Sequence, residues 1–122
     1  KSGKTSAGKT LGERPDEPQI PAYYLAETQQ NKEVHALAFA QVRSGDMGFH
    51  GFGQEDDILP RVNAPKGKRT EPQDWDELTA QWQETLDRLA DDFIAGAAEV
   101  SPKNPQSCLY CSFSGLCRIK SK

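Results

Sequence analysis

The strongest periodic signal in the chain begins at Trp75: Trp75, Leu78, Trp82, Leu86, Leu89 and Phe93 recur at intervals of three, four, four, three and four. That is the stripe of an amphipathic helix, expected from about Trp75 to Ala97. Asp74 holds its N-cap position, with Glu77 placed as the acceptor of a capping box, and Gly96 weakens the far end. A second signal alternates. Val34, Ala36, Ala38, Ala40 and Val42 fall on one side of a strand and Leu37 and Phe39 on the other, so a strand over 34–42 is expected to be buried on both faces. Gly45-Asp46 has turn composition, and Met47–Phe52 is expected to return as an antiparallel partner. Gln19–Gln30 reads as a helix of about three turns that tolerates Pro18 or Pro21 only in its first turn. Residues 1–18 have loop chemistry. Gln54–Pro72 is polar and broken by Pro60, Pro65 and Pro72, a long irregular connection whose Ile-Leu and Val-Asn pairs can hold one short strand.

Composition narrows the class. At 122 residues the chain is one domain or a piece of one, and its first residue, Lys1, does not look like a beginning, so a fragment is expected. Fifteen Lys and Arg against 18 Asp and Glu give a net charge of −3, which offers no global attraction to nucleic acid. The basic groups at Lys1, Lys4, Lys9 and Arg14, at Lys66, Lys68 and Arg69, and at Arg118, Lys120 and Lys122 read as solvated termini and a loop. No apolar run approaches a membrane span and no signal peptide is visible. Three closely spaced cysteines do not make a disulfide scaffold, and a reducing, cytoplasmic location is expected.

Gly3-Lys-Thr-Ser-Ala-Gly8-Lys9-Thr10 satisfies the P-loop pattern letter for letter. A phosphate cradle needs a buried strand before it and a helix after it. Here two residues precede it, and Leu-Gly-Glu-Arg-Pro-Asp-Glu-Pro follows, so nucleotide binding is not expected. Trp75 and Trp82 lie on the apolar stripe and are read as core residues rather than base-stacking platforms. The acidic groups Glu55-Asp56-Asp57 and Asp91-Asp92 lack partners at a ligand spacing and are read as solvated.

All three cysteines fall within ten residues as Cys108-x2-Cys111-x5-Cys117. A Cys-x-x-Cys turn brings two thiolates to one soft metal, and Gly115 is expected to let the chain fold back with the third. Structural zinc and cubane iron–sulfur sites normally take four protein ligands, so one is missing. Completion by His35 or His50 as a zinc knuckle, an external fourth ligand, and three plain thiols all remain open.

The order Lys1-Ser-Gly, a Gly/Lys loop, Asp16-Glu-Pro-Gln-Ile-Pro-Ala-Tyr-Tyr-Leu-Ala26 and a terminal Cys-x2-Cys-x5-Cys resembles the nuclease domain of RecB- and AddB-type exonucleases of the PD-(D/E)XK superfamily. The resemblance spans nearly the whole chain, and Pro18-Gln19-Ile20-Pro21-Ala22-Tyr23 and the cysteine spacing are its specific parts. It implies an α/β, restriction-endonuclease-like fold, of which this chain is the C-terminal portion: residues 1–18 a loop after the catalytic-lysine strand, 19–100 helix, β-hairpin and long C-terminal helix, 101–122 the cysteine motif. It implies that Lys1 orients the attacking water and stabilises charge on the scissile phosphate, while Gln19 and Tyr23 line the site and contact the DNA backbone. The Mg²⁺ (or Mn²⁺) carboxylates, including an Asp two residues before Lys1, would lie upstream, so the isolated piece is expected to be inactive. Cys108, Cys111 and Cys117 would join a cysteine far upstream to hold a 4Fe-4S cluster. The implied parent is a deoxyribonuclease that processes DNA ends in recombinational repair, with a helicase subunit or domain as partner. The competing class is a non-catalytic zinc module that binds DNA or a protein.

Overall fold

The structure, a computed structural model, describes residues 3–67 and 71–117. The chain divides into two compact units, 1–90 and 91–122. The first contains helix α1 (Gln19–Thr28), strands β1 (Ala36–Gln41) and β2 (Gly48–Gly53), and most of helix α2 (Trp75–Ile94). The second holds the end of α2, a 3-10 turn at Pro105–Cys108 and a single helical turn, α3 (Ser114–Cys117). The mixed α/β class, the hairpin and the long helix are therefore as expected. No helix among the described residues is long and apolar enough to cross a membrane.

The core of the first unit is built where the two periodic signals meet. Ile20 from α1, Phe39 from β1 and Trp75, Leu78 and Trp82 from α2 are buried together, with Leu11, Tyr24, Val34, Leu37 and Phe52 packed around them. Tyr24, Trp75 and Trp82 form a ring of edge-on and tilted aromatic contacts with centroids 5.9–6.1 Å apart. These are geometries that the aromatic quadrupole favours. The indole N–H of Trp82 donates to the carbonyl of Thr10 at 3.0 Å, so both tryptophans are core residues.

Helix α2 starts as its sequence requires. The Asp74 carboxylate accepts from the Glu77 N–H at 2.8 Å, and the Glu77 carboxylate reaches back to the Gln73 N–H at 2.8 Å. The helix ends three residues earlier than expected. Gly96 adopts φ +73, and the Ala97 N–H reaches the Asp92 carbonyl while the Gly96 N–H reaches that of Phe93. This is a Schellman stop, for which glycine is the cheapest residue. The apolar stripe outruns the core: Leu89 is 38% exposed and Phe93 86%.

The hairpin corrects one expectation. The register pairs Leu37 with Phe52, Phe39 with His50 and Gln41 with Gly48, which puts these six on one face. Phe39 and Gln41 are buried there, whereas Ala40 and Val42 on the opposite face are exposed, so β1 is core-facing on one side only. The opposite face is covered in part by the long connection. A Cβ on Gly53 would lie 2.4 Å from Ile58 Cγ2, and the Gly53 N–H donates to the Asn63 carbonyl. Asn63 thereby forms a parallel bridge to Phe52, and Leu59 bridges Val62, which is fully buried. Leu59, Val62 and Asn63 thus serve in isolated bridges, and the path of the connection is fixed by Asp56, whose carboxylate accepts from the Ala64 N–H and pairs with Lys66.

Candidate active site and cysteine segment

Helix α1 presents the candidate site. Pro18 is its N-cap and Pro21 lies in the first turn, where its missing N–H costs no helical hydrogen bond. Ile20 and Pro21 are buried and fix which side of the helix faces the core. Gln19 and Tyr23 are left on the exposed side, and the Gln19 amide donates to the Tyr23 hydroxyl oxygen at 2.9 Å. The structure thus brings these two together. With its oxygen accepting from Gln19, the Tyr23 hydroxyl still has a proton to donate outward, and Tyr23 is 55% exposed. No acidic residue stands in the first turn of the helix, and Asp16 and Glu17 directly precede its N-cap. Lys1 lies outside the described residues.

The segment leading into α1 is held by a buried polar network that periodicity alone does not reveal. The Thr5 N–H donates to Gln41 Oε1 at 3.1 Å, the Thr5 hydroxyl donates to Glu17 at 2.7 Å, and the Gln41 amide donates to the Asp46 carbonyl at 3.1 Å. Lys9 lies 3.6 Å from Glu17, whose N–H donates to the Lys9 carbonyl. One sign of the network was present in the sequence: Gln41 continues the inward series Leu37, Phe39, where a polar side chain needs a partner. The P-loop look-alike is spent on the same framework. Residues 7–10 form a 3-10 turn, and Thr10 is 1% exposed with its hydroxyl donating to the Ala7 carbonyl at 2.7 Å. A hydroxyl held in this way is not presented to a nucleotide-bound metal.

In the second unit Asn104 caps the 3-10 turn by accepting from the Ser107 N–H, and the Cys111 N–H donates to the Cys108 carbonyl at 3.2 Å. Cys108 and Cys111 thus share one tight turn. Cys117 closes α3, its N–H donating to the Phe113 carbonyl. Gly115 sits inside α3 without a positive φ, so the expected fold-back at that glycine does not occur. Cys108 is half-buried and Cys111 exposed, and no disulfide joins the three. Among the described residues no three His, Cys, Asp or Glu side chains gather as they must to hold a metal ion. Neither a divalent-ion site nor a cluster site is therefore assembled by these residues. His35 uses Nδ1 toward Gln54 Oε1 at 2.7 Å, and His50 stands opposite Phe39 in the hairpin.

A family model described as the PD-(D/E)XK nuclease superfamily matches residues 1–118. No curated protein and no solved structure matches the chain.

Proposed function

We propose, from the premise that the chain belongs to the PD-(D/E)XK nuclease superfamily, that it is part of an exonuclease that trims DNA ends, with Gln19 and Tyr23 holding the substrate backbone. Proteins of this superfamily are nucleases that generally use divalent metals, and a member acts on DNA. The observation that carries the finer reading is the Gln19–Tyr23 pair, hydrogen-bonded to each other and turned to solvent at the start of α1.

The pair suits a phosphate. The Tyr23 hydroxyl donates its proton to a phosphate oxygen while accepting from Gln19, and that second bond polarises the first. The N-terminal end of α1 adds its dipole on the same side. Lys1 is proposed to orient the attacking water and stabilise charge on the phosphate. A divalent ion, when bound, lowers the pKa of its water. Its carboxylate ligands are proposed to precede Lys1. The cysteine segment is proposed to hold a 4Fe-4S cluster with a fourth ligand from elsewhere; its support is the Cys-x2-Cys-x5-Cys spacing. End processing in recombinational repair, beside a helicase and in the cytoplasm, completes the reading.

In the intact enzyme, Tyr23→Phe keeps the ring and deletes the donor. Loss of a hydrogen bond to a charged group predicts a fall in cleavage of linear DNA of about tenfold to a hundredfold, with unchanged thermal melting. Wild-type rates for Tyr23→Phe and Gln19→Ala together would remove the pair from the site. Circular DNA cut as fast as linear DNA would refute the exonuclease assignment. Stoichiometric zinc, in place of iron and sulfide, would refute the cluster.

A further inference from the structure

The tip of the β1–β2 hairpin carries an open groove that runs from the outward face, at Val42, Met47 and Phe49, to Gln41 and Gly48. Its volume is about 420 Å³, and Val42, Met47, Phe49, Pro60 and Arg61 line it. The covering loop explains why it stays open. Ile58 seals the Gly53 end of this face, but the chain then turns at Leu59–Val62, leaving Val42 65% and Met47 72% exposed.

Arg61 is placed at that turn at a conformational cost. The Val62 N–H closes the turn onto the Leu59 carbonyl at 2.9 Å, Pro60 is its second residue, and Arg61 is its third at φ +66. Turns with a left-handed third residue favour Gly or Asn there, so an arginine calls for a reason beyond the turn itself. Its guanidinium approaches the hairpin at Gly48, 3.6 Å from where a Cβ there would be, and so stands at the Gln41–Gly48 side of the groove. Lys9, Lys32 and Lys66 have carboxylate partners and Arg88 a carbonyl partner. Among the described residues Arg61 and Arg43, like Lys4, have none. Asp46 is the one acidic residue between Ala40 and Phe49.

We infer that this groove binds single-stranded DNA, an unpaired base lying against Met47, Phe49 and Pro60 while the Arg61 guanidinium takes the adjoining phosphate. The proposal rests on the nuclease reading and deepens it: the tip is a second contact for a strand whose backbone lies at α1. An apolar floor with an unpaired cation beside it matches an unpaired nucleotide, which offers a stacking face and an anion together. A duplex offers the anion without a free base.

The test uses the full chain and a fluorescein-labelled oligothymidylate, with anisotropy read over a salt series and a labelled duplex for comparison. Arg61→Asn removes the charge with a residue that tolerates the left-handed backbone. It is expected to weaken oligothymidylate binding and to lower the slope of log affinity against log salt by about 0.7, the loss of one phosphate contact on a single strand. Met47→Asp, at a largely exposed position, is expected to weaken the same binding about tenfold by placing a like charge in the stacking groove. Unchanged affinity for both variants, with wild type still binding, overturns the groove and leaves the nuclease reading intact. Equal losses on duplex and single strand overturn the base pocket. Failure of the wild-type chain to bind either probe overturns both readings.

Discussion

Trp82→Phe tests whether the loop before α1 is tied to the core through one hydrogen bond. The indole N–H donates to the Thr10 carbonyl at 3.0 Å, and both residues are almost wholly buried, at 3% and 1% exposure. Phenylalanine keeps an aromatic ring but no donor, and Thr10 then holds an acceptor with no water to replace it. That orphaned group costs about 1–3 kcal/mol. The smaller ring adds a packing loss of roughly 1 kcal/mol. Trp75→Phe is the matched control, because each tryptophan touches Tyr24 and the other tryptophan at nearly the same distances, and Trp75 makes no such bond. The two variants should differ by about 2 kcal/mol, or roughly 10 °C in melting midpoint for a unit of this size. Urea and thermal unfolding followed by far-UV circular dichroism avoid the altered tryptophan fluorescence. If Trp82→Phe costs no more than Trp75→Phe, the hydrogen bond does not hold the loop and the framework around Thr5 and Glu17 must be self-supporting.

Two further outcomes follow from the first unit. Gly51→Ala would place a methyl 2.0 Å from the Leu37 carbonyl oxygen and 2.4 Å from Ala38 Cα, both backbone atoms of the paired strand, so it should destabilise the hairpin by about 3 kcal/mol in chemical denaturation. Asp56, hydrogen-bonded to Lys66 and to the Ala64 N–H, has its carboxyl held below the usual carboxylate range. Its folded-state value lies below its unfolded one, so the tether is fully present above the unfolded value and is lost as pH falls through the folded one. The protection factor of the Ala64 amide, its exchange rate corrected for intrinsic pH dependence, should fall as pH drops across that acid window in wild type and stay level in Asp56→Asn.

The elements that were legible in the sequence are those whose hydrophobic pattern is also their packing pattern. Trp75, Leu78 and Trp82 repeat at helical spacing because one side of α2 is buried, and Asp74 with Glu77 announces where that helix starts. The pattern overstated the core where it continued through Leu89 and Phe93, since periodicity reports which residues share a face and not whether that face is covered. The same limit applies to β1. Alanines on both sides of Phe39 read as a doubly buried strand, yet the covering of their face depends on the loop from Gln54 to Val62, whose course is set by side-chain bonds such as those from Asp56 to Ala64 and Lys66, which hydrophobic periodicity does not report. Gln41 is the opposite case, a polar residue on the inward face that looks like an interruption until Thr5 supplies its partner.

The candidate site divides along the same line. Gln19 and Tyr23 were readable as neighbours because four residues along a helix is a geometric statement, and the hydrogen bond between them follows from it. Cys108 and Cys111 were readable as neighbours because two intervening residues fit one turn. Five intervening residues fix nothing comparable. Between Cys111 and Cys117 the backbone can fold back at Gly115 or wind into a helical turn through it, and both conformations are open to glycine. The chain takes the second, in which Gly115 and Cys117 share one turn. In the proposed cluster, metal binding would be the step that draws the third thiolate to the first pair, since a preformed site is rarely present before the ligands are drawn together. The cysteine spacing therefore speaks to what this segment can bind, while the helical register at α1 speaks to what is already in place.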